Sequence, residues 1–227
     1  MKQRCYDCND RATTVEHVPP KSFFPEGHRL NLITVPACKM HNNELSPDVE
    51  YVRNILTLTL GTNELGLELF KDKVLRSFDK SPALKARTLK GMLDVQVGSQ
   101  SMGMLTLDLK RFDRLMQGIV RALHYHETRA RVKTWAIVPL SLIHRAETPM
   151  KSRQIWKQLK EQSGSVPLTP RECSNPEVFS YSSACNPSAI VGDMWFYDMT
   201  FYGGFLVRAF GPAPRRQPIM PGQGVAV

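Results

Sequence analysis

The 227-residue chain has no apolar run of membrane-spanning length. Its longest, near Trp135 to Ile143, is strand-sized, whereas about 20 apolar residues are needed to cross a bilayer as a helix. No membrane partner is expected. Glycine-rich phosphate loops of the Walker or Rossmann type are missing, which removes those nucleotide-binding classes. There is no internal repeat, and no low-complexity block apart from the tail. Met1-Lys2-Gln3-Arg4-Cys5 carries no apolar leader, so a cytoplasmic protein is expected. Cysteine is scarce and odd in number, at 5, which suits a reduced compartment better than a disulfide scaffold. Cys173 and Cys185 lie far down the chain in loop-like surroundings and read as ordinary free thiols. Acid is in deficit: 21 Asp+Glu face 30 Lys+Arg, a formal charge of +9. Solubility explains some excess, but clustered Lys and Arg also gain affinity for polyanions by releasing phosphate counterions.

A composition that is 42% hydrophobic and 22% charged is that of a folded chain. Val15 to Val18 and Leu30 to Val35 read as two short strands, and Pro36 suits the first turn of a helix carrying Cys38, His41 and Asn42. Ser46-Pro47-Asp48 looks like a helix start, with Ser as cap and acid in the first turn. Helices are expected to Gly61, from Glu64 to Phe78 and from Pro82 to Leu89, then paired strands at Leu93 to Val97 and Met104 to Leu107. The clearest helix is Asp108 to about Arg131, where Phe112, Leu115, Met116, Ile119, Val120 and Leu123 recur at helical spacing. Its basic residues, Arg111, Arg114, Arg121 and Arg131 among them, are expected on a solvated face. A strand at Trp135 to Leu142, a helix at Ser152 to Gln162 and closing strands at Val178 to Tyr181, Ile190 to Tyr197 and Thr200 to Phe210 follow, with Gly203-Gly204 as a bend or bulge. The expected class is α+β: a small zinc-bearing module at 1–60, a helical segment and mixed sheet domain at 61–210, and a tail at 211–227 without fixed structure.

The chemistry concentrates between Cys5 and Ser46. Cys5-x-x-Cys8 and Cys38-x-x-His41 are each spaced to chelate one ion, and together they supply three thiolates and an imidazole. That is a closed tetrahedral set for structural Zn²⁺. A short segment with little apolar content needs such a staple to fold. Between the pairs lie Glu16-His17 and Asn31, and Asn42 directly follows the last ligand. The carboxylate of Glu16 and the amide oxygen of Asn42 form a hard-oxygen set suited to Mg²⁺ or Mn²⁺. A neutral His17 beside them could take a proton from water. By contrast, His124 and His126 point to different sides of their helix, which is poor ligand geometry.

The pattern C-x-x-C, E-H-V-P-P-K, N-L-I-T-V-P-x-C-x-x-H-N resembles the zinc-containing branch of the HNH endonucleases, which have the ββα-metal fold. The resemblance is close over residues 5–46. It extends more loosely to S-P-D-V-E-Y-V-R, to I-V-R-A-L-H-Y-H-E at 119–127 and to F-Y-G-G-F at 201–205, as in larger bacterial HNH proteins whose nuclease module opens the chain. It implies metal-assisted hydrolysis of DNA. His17 would be the general base, Glu16 and Asn42 ligands of a catalytic Mg²⁺ or Mn²⁺, and Asn31 the residue that buttresses the loop and orients the base. Cys5, Cys8, Cys38 and His41 would hold the structural zinc. Glu16 stands where the family usually has Asp, and His41 where Cys is more common. A second assignment would put His41 on the catalytic metal and leave the zinc set incomplete. Asn43 is the nearest substitute for Asn42. Lys21 and Arg29 are candidates for phosphate contact, with plain surface charge the simpler reading. Nucleases of this kind serve mobile elements, restriction and phage defence. A protein partner or self-association is compatible with the second domain. The alternative from a different class is a non-catalytic zinc module that binds nucleic acid or protein.

Overall fold

The computed structural model describes residues 3–43, 45–97, 99–143, 167–187 and 193–212. The helix expected at Ser152 to Gln162, His144, the start of the strand expected from Ile190 and the tail beyond Pro212 lie outside them. Strands β1 (Thr14–His17) and β2 (Thr34–Ala37) form an antiparallel hairpin in which Glu16 faces Val35 and His17 faces Thr34. Two short 3-10 turns, Lys21–Phe23 and Glu26–His28, fill the connection, each preceded by a proline. Pro36 and Ala37 extend β2 instead of opening a helix; α1 is only Lys39–Asn43. Helix α2 (Ser46–Thr57) begins with Leu45 in the cap position and Pro47 in its first turn, where the missing amide is harmless. A broken helical run follows: α3 (Glu64–Leu69), a π-helical stretch Phe70–Leu75, α4 (Arg76–Lys80) and α5 (Pro82–Thr88).

The hairpin β3 (Leu93–Val97) and β4 (Gln100–Met104) turns earlier than the sequence suggests. Helix α6 (Leu109–Thr128) is the axis of the molecule. Asp108 caps it, accepting from the amides of Lys110 and Arg111 at 3.1 and 3.2 Å. Arg129, left-handed at φ 59°, ends it. Its stripe of Phe112, Leu115, Met116, Ile119, Val120 and Leu123 is buried, as the periodicity requires.

The far side of the core is a five-stranded antiparallel sheet of order β5-β9-β8-β7-β6, built from β5 (Ala136–Pro139), β6 (Thr169–Pro170), β7 (Phe179–Asn186), β8 (Met194–Phe201) and β9 (Phe205–Pro212). A four-residue helix α7 (Leu140–Ile143) takes the second half of what reads as one strand. Alternation on β7 and β9 buries every second residue, the mark of a sheet with one covered face. The run expected as one strand from Thr200 is two, joined through Tyr202 and Gly203, both with positive φ (47° and 69°). Gly211 and Pro212, expected in the tail, complete β9. One continuous core joins Cys5, Tyr6 and Phe23 to Leu56 of α2, Leu123 of α6 and Tyr197 and Tyr202 of the sheet.

Gly204 sits directly on the Gly61 turn. A Cβ there would collide with the Gly61 carbonyl, whereas one at Gly27 would meet nothing within 4 Å. Gly204→Ala is expected to cost about 1–3 kcal/mol in urea unfolding. Gly27→Ala should leave the midpoint unchanged.

Candidate functional site

The zinc-type cluster forms because β2 delivers Cys38 to the start of α1, and one turn of helix brings His41 back beside it. The Cys5–Cys8 loop closes from the other side, held by Cys5 N–H donating to Asp10 O at 2.9 Å and Tyr6 N–H to Pro36 O at 2.7 Å. The ligand atoms of Cys5, Cys8, Cys38 and His41 lie within 4.8 Å of one another. His41 turns Nδ1 inward, 3.2 Å from Cys38 Sγ and 3.6 Å from Cys5 Sγ. Cys8 and Cys38 sulfurs are 3.8 Å apart, matching the edge of about 3.8 Å in a tetrahedron of Zn–S bonds and too long for a disulfide. Donor set, count and spacing therefore fit a structural zinc ion. Among the described residues this is the one cluster of at least three such ligands. The cluster recruits His41 fully, so the alternative that places His41 on a second metal is not the arrangement found.

A residue that sequence reasoning missed stands behind it. Asp7, 3% exposed, sits inside the C-x-x-C loop, and its Oδ2 lies 3.3 Å from His41 Nε2. A carboxylate on the outer nitrogen of a metal-binding imidazole fixes its tautomer and ring orientation. Arg121 of α6 reaches the same oxygen at 3.0 Å, and Lys133 donates to Oδ1 at 2.9 Å and to the Asp7 carbonyl. Arg131 adds two bonds to the Cys5 carbonyl, at 2.7 and 3.2 Å. Position between two cysteines was the only sequence signal for Asp7; two of its partners, Arg121 and Lys133, lie more than a hundred residues away.

Next to the cluster is a half-open cleft of about 340 Å³. Glu16, His17 and Lys21 line one side, Asn42 another. Residues 16 and 17 of a regular strand would face apart. Here β1 stops at His17, and both line the cleft. Asn42 follows His41 by one residue, about 100° around the helix, so one ligand faces the cluster and its neighbour the cleft. Val18, Leu45, Val49, Leu115, Ile119 and Ala122 give the cleft an apolar wall contributed by α2 and α6. Gly118 lets α6 come close there: a Cβ on it would lie 2.6 Å from Leu45 Cδ1.

Burial pushes the Glu16 carboxyl up to about 7. Burial, and after it the Lys21 ammonium, holds His17 below its ordinary value, so it is neutral at pH 7. The pair can thus offer a carboxylate of raised basicity and a neutral imidazole to one small volume.

Two residues named from sequence are not in the cleft. Asn31 is exposed and left-handed at φ 51°, and it is its backbone carbonyl that is used, accepting from Ser174 Oγ at 2.6 Å. The polar side chain tolerates that conformation at the entry to β2, so its place is explained by the turn. Arg29 bonds the Phe24 carbonyl at 3.0 Å and faces a different groove with Lys73 and Arg76. Arg111 and Arg114 of α6 both meet Asp48, at 2.9 and 2.8 Å; Arg114 stays on the solvated face as expected, whereas Arg111 is largely covered. His124 is fully buried between Trp135, Trp195 and Tyr197, with Nδ1 3.1 Å from the Tyr197 hydroxyl. Comparison with protein families, curated proteins and solved structures found no match.

Two outcomes follow from this geometry. Asp7→Asn should weaken zinc retention about 10–100-fold in chelator competition, because His41 loses its outer-shell acceptor. For Glu16 the folded pKa lies above the unfolded value of 4.5. Its neutral form is therefore favoured by folding, and stability present below pH 4.5 is lost as pH rises through 7. Solvent screening of this partly exposed group brings the size to about 1–3 kcal/mol. Glu16→Gln should raise the melting temperature at pH 8 and leave it unchanged at pH 4.

Proposed function

We propose that this chain is a metal-dependent endonuclease of HNH type that hydrolyses phosphodiester bonds in DNA. The observation that carries the reading is the convergence of Glu16, His17 and Asn42 on one cleft beside a Cys₃His cluster. The order hairpin β1–β2 then α1 is the order a ββα-metal module would have, and the presence of Glu16, His17 and Asn42 in one cleft lining supports the roles the resemblance gives these three. The cysteine-rich cluster lies outside the cleft lining, so a zinc there serves folding and the cleft serves chemistry.

Glu16 and Asn42 offer oxygens that would hold Mg²⁺ or Mn²⁺. A bound divalent ion supplies charge stabilisation to a phosphoryl oxygen. His17 is the base. Its imidazole is neutral at pH 7, and Lys21 nearby opposes protonation, so it is poised to accept a proton from water at a ring nitrogen. The apolar wall from α2 and α6 excludes bulk water from one side, which strengthens each electrostatic contact inside. Lys21 lies where it can meet a substrate phosphate. Asn31 and Arg29 are not assigned to the reaction.

Incubation of plasmid DNA with the purified protein and Mg²⁺ or Mn²⁺ tests the proposal. Wild type should nick or linearise the plasmid, and His17→Ala should slow cleavage about 100–10,000-fold. Zinc content and melting temperature should be unchanged. Intact plasmid with wild type, in a zinc-loaded and folded preparation, would remove the nuclease assignment and leave a zinc module that binds nucleic acid or protein.

A further inference from the structure

We propose that Arg53 is a phosphate-binding residue of the cleft, its guanidinium receiving a backbone phosphodiester of the nucleic-acid strand. The inference rests on the nuclease reading for its ligand and adds to it a residue to which the resemblance assigns no role. Arg53 lies on α2, at the end of the S-P-D-V-E-Y-V-R stretch where the resemblance is looser. It lines the same cleft as Glu16, His17 and Lys21. It is 4% exposed, so its charge is almost entirely removed from bulk water.

A buried guanidinium ordinarily has a carboxylate partner, because desolvating an unpaired charge is expensive. Two other part-buried arginines obey the rule: Arg111 holds Asp48, and Arg121 holds Asp7. Arg53 does not. Among the described residues its Nε and Nη2 donate to one neutral acceptor, Asn54 Oδ1, at 3.2 and 2.9 Å, and no carboxylate pairs with it. That bond turns one edge of the fork inward and leaves Nη1 without an acceptor among the described residues. Two neighbours add to the case. Lys73 is close enough that the charges of Arg53 and Arg29 help burial to depress its ammonium pKa. Lys21 lines the cleft beside His17. Glu50 lines the same cleft and favours the charged guanidinium at longer range, but forms no ion pair with it; Glu26 and Glu50 act on Lys73 in the same sense. A monoanionic phosphodiester supplies what the guanidinium lacks: a negative charge with two oxygens at the spacing of its fork.

The test is binding, read apart from cleavage. Short single-stranded and duplex oligonucleotides, and inorganic phosphate, are titrated in EDTA into wild type, Arg53→Met and Arg53→Lys. Arg53→Met should weaken oligonucleotide binding about tenfold or more and lower the salt slope by about 0.7–0.9, the share of one phosphate contact. Arg53→Lys should fall between. Zinc content and melting curves check that the variants fold. Should Arg53→Met fail to fold, the Arg53 ¹⁵Nε resonance of wild type decides, and it should shift on oligonucleotide addition. The proposal is overturned if Arg53→Met binds like wild type, if the resonance stays still at saturation, if wild type binds no oligonucleotide, or if inorganic phosphate alone moves it. A wild type that binds through Arg53 but never cleaves with Mg²⁺ or Mn²⁺ would sink the nuclease reading and leave the phosphate site standing.

Discussion

The carboxylate of Asp7 holds the molecule together at its most consequential point. It is buried, and a buried carboxylate persists only where its charge and lone pairs are met. His41, Arg121 and Lys133 meet them. Through these contacts the Cys₃His cluster, the long helix α6 and the segment leading into the sheet become one unit. Arg131 on the Cys5 carbonyl reinforces the same joint. The consequence reaches the cleft. α1 carries His41 at the cluster and Asn42 in the lining of the cleft, so whatever fixes the imidazole also constrains the helix turn that carries Asn42.

The cleft itself combines features that oppose stability. Glu16 is desolvated and its ionised form disfavoured, and Arg53 has no ion-paired carboxylate among the described residues. Neither arrangement is what folding alone would select. Where local rules are broken without compensation, a functional demand is the usual cause. Elsewhere the rules hold. His124 is equally buried, but its pKa falls to about 4, it stays neutral, and the Tyr197 hydroxyl lies within hydrogen-bond reach of its ring. The contrast separates a titratable group accommodated by the core from groups held in a strained electrostatic setting beside open space.

Basic charge is distributed differently from what composition suggests. A net charge of +9 invites the picture of a cationic surface. Arg111, Arg114 and Arg121 spend their charge on two buried aspartates, Asp48 and Asp7, and so tie α6 to α2 and to the cysteine loop. Lys21 and Arg53 line the cleft, and Arg29, Lys73, Arg76 and Lys80 line the second groove beside the hairpin.

Periodicity and spacing were enough for much of this. The stripe on α6 declared a buried helix because burying Phe112, Leu115, Ile119 and Leu123 on one side requires a period near 3.6. The pairs Cys5–Cys8 and Cys38–His41 declared a metal cluster because chelate spacing is local. Glu16, His17 and Asn42 could be named as a set. Boundaries set by turn geometry were less legible: Pro36 joined a strand, and Tyr202 with Gly203 split one apparent strand into two, since positive φ is decided by the contacts a turn makes. Beyond the reach of sequence were the pairings between residues far apart in the chain. No local pattern says that Arg121 and Lys133 close on Asp7, that Arg111 is covered by Asp48, or that Asn31 stays outside the cleft. Charge and hydrogen-bond partnership depend on distance in space, and only the tertiary structure sets that distance.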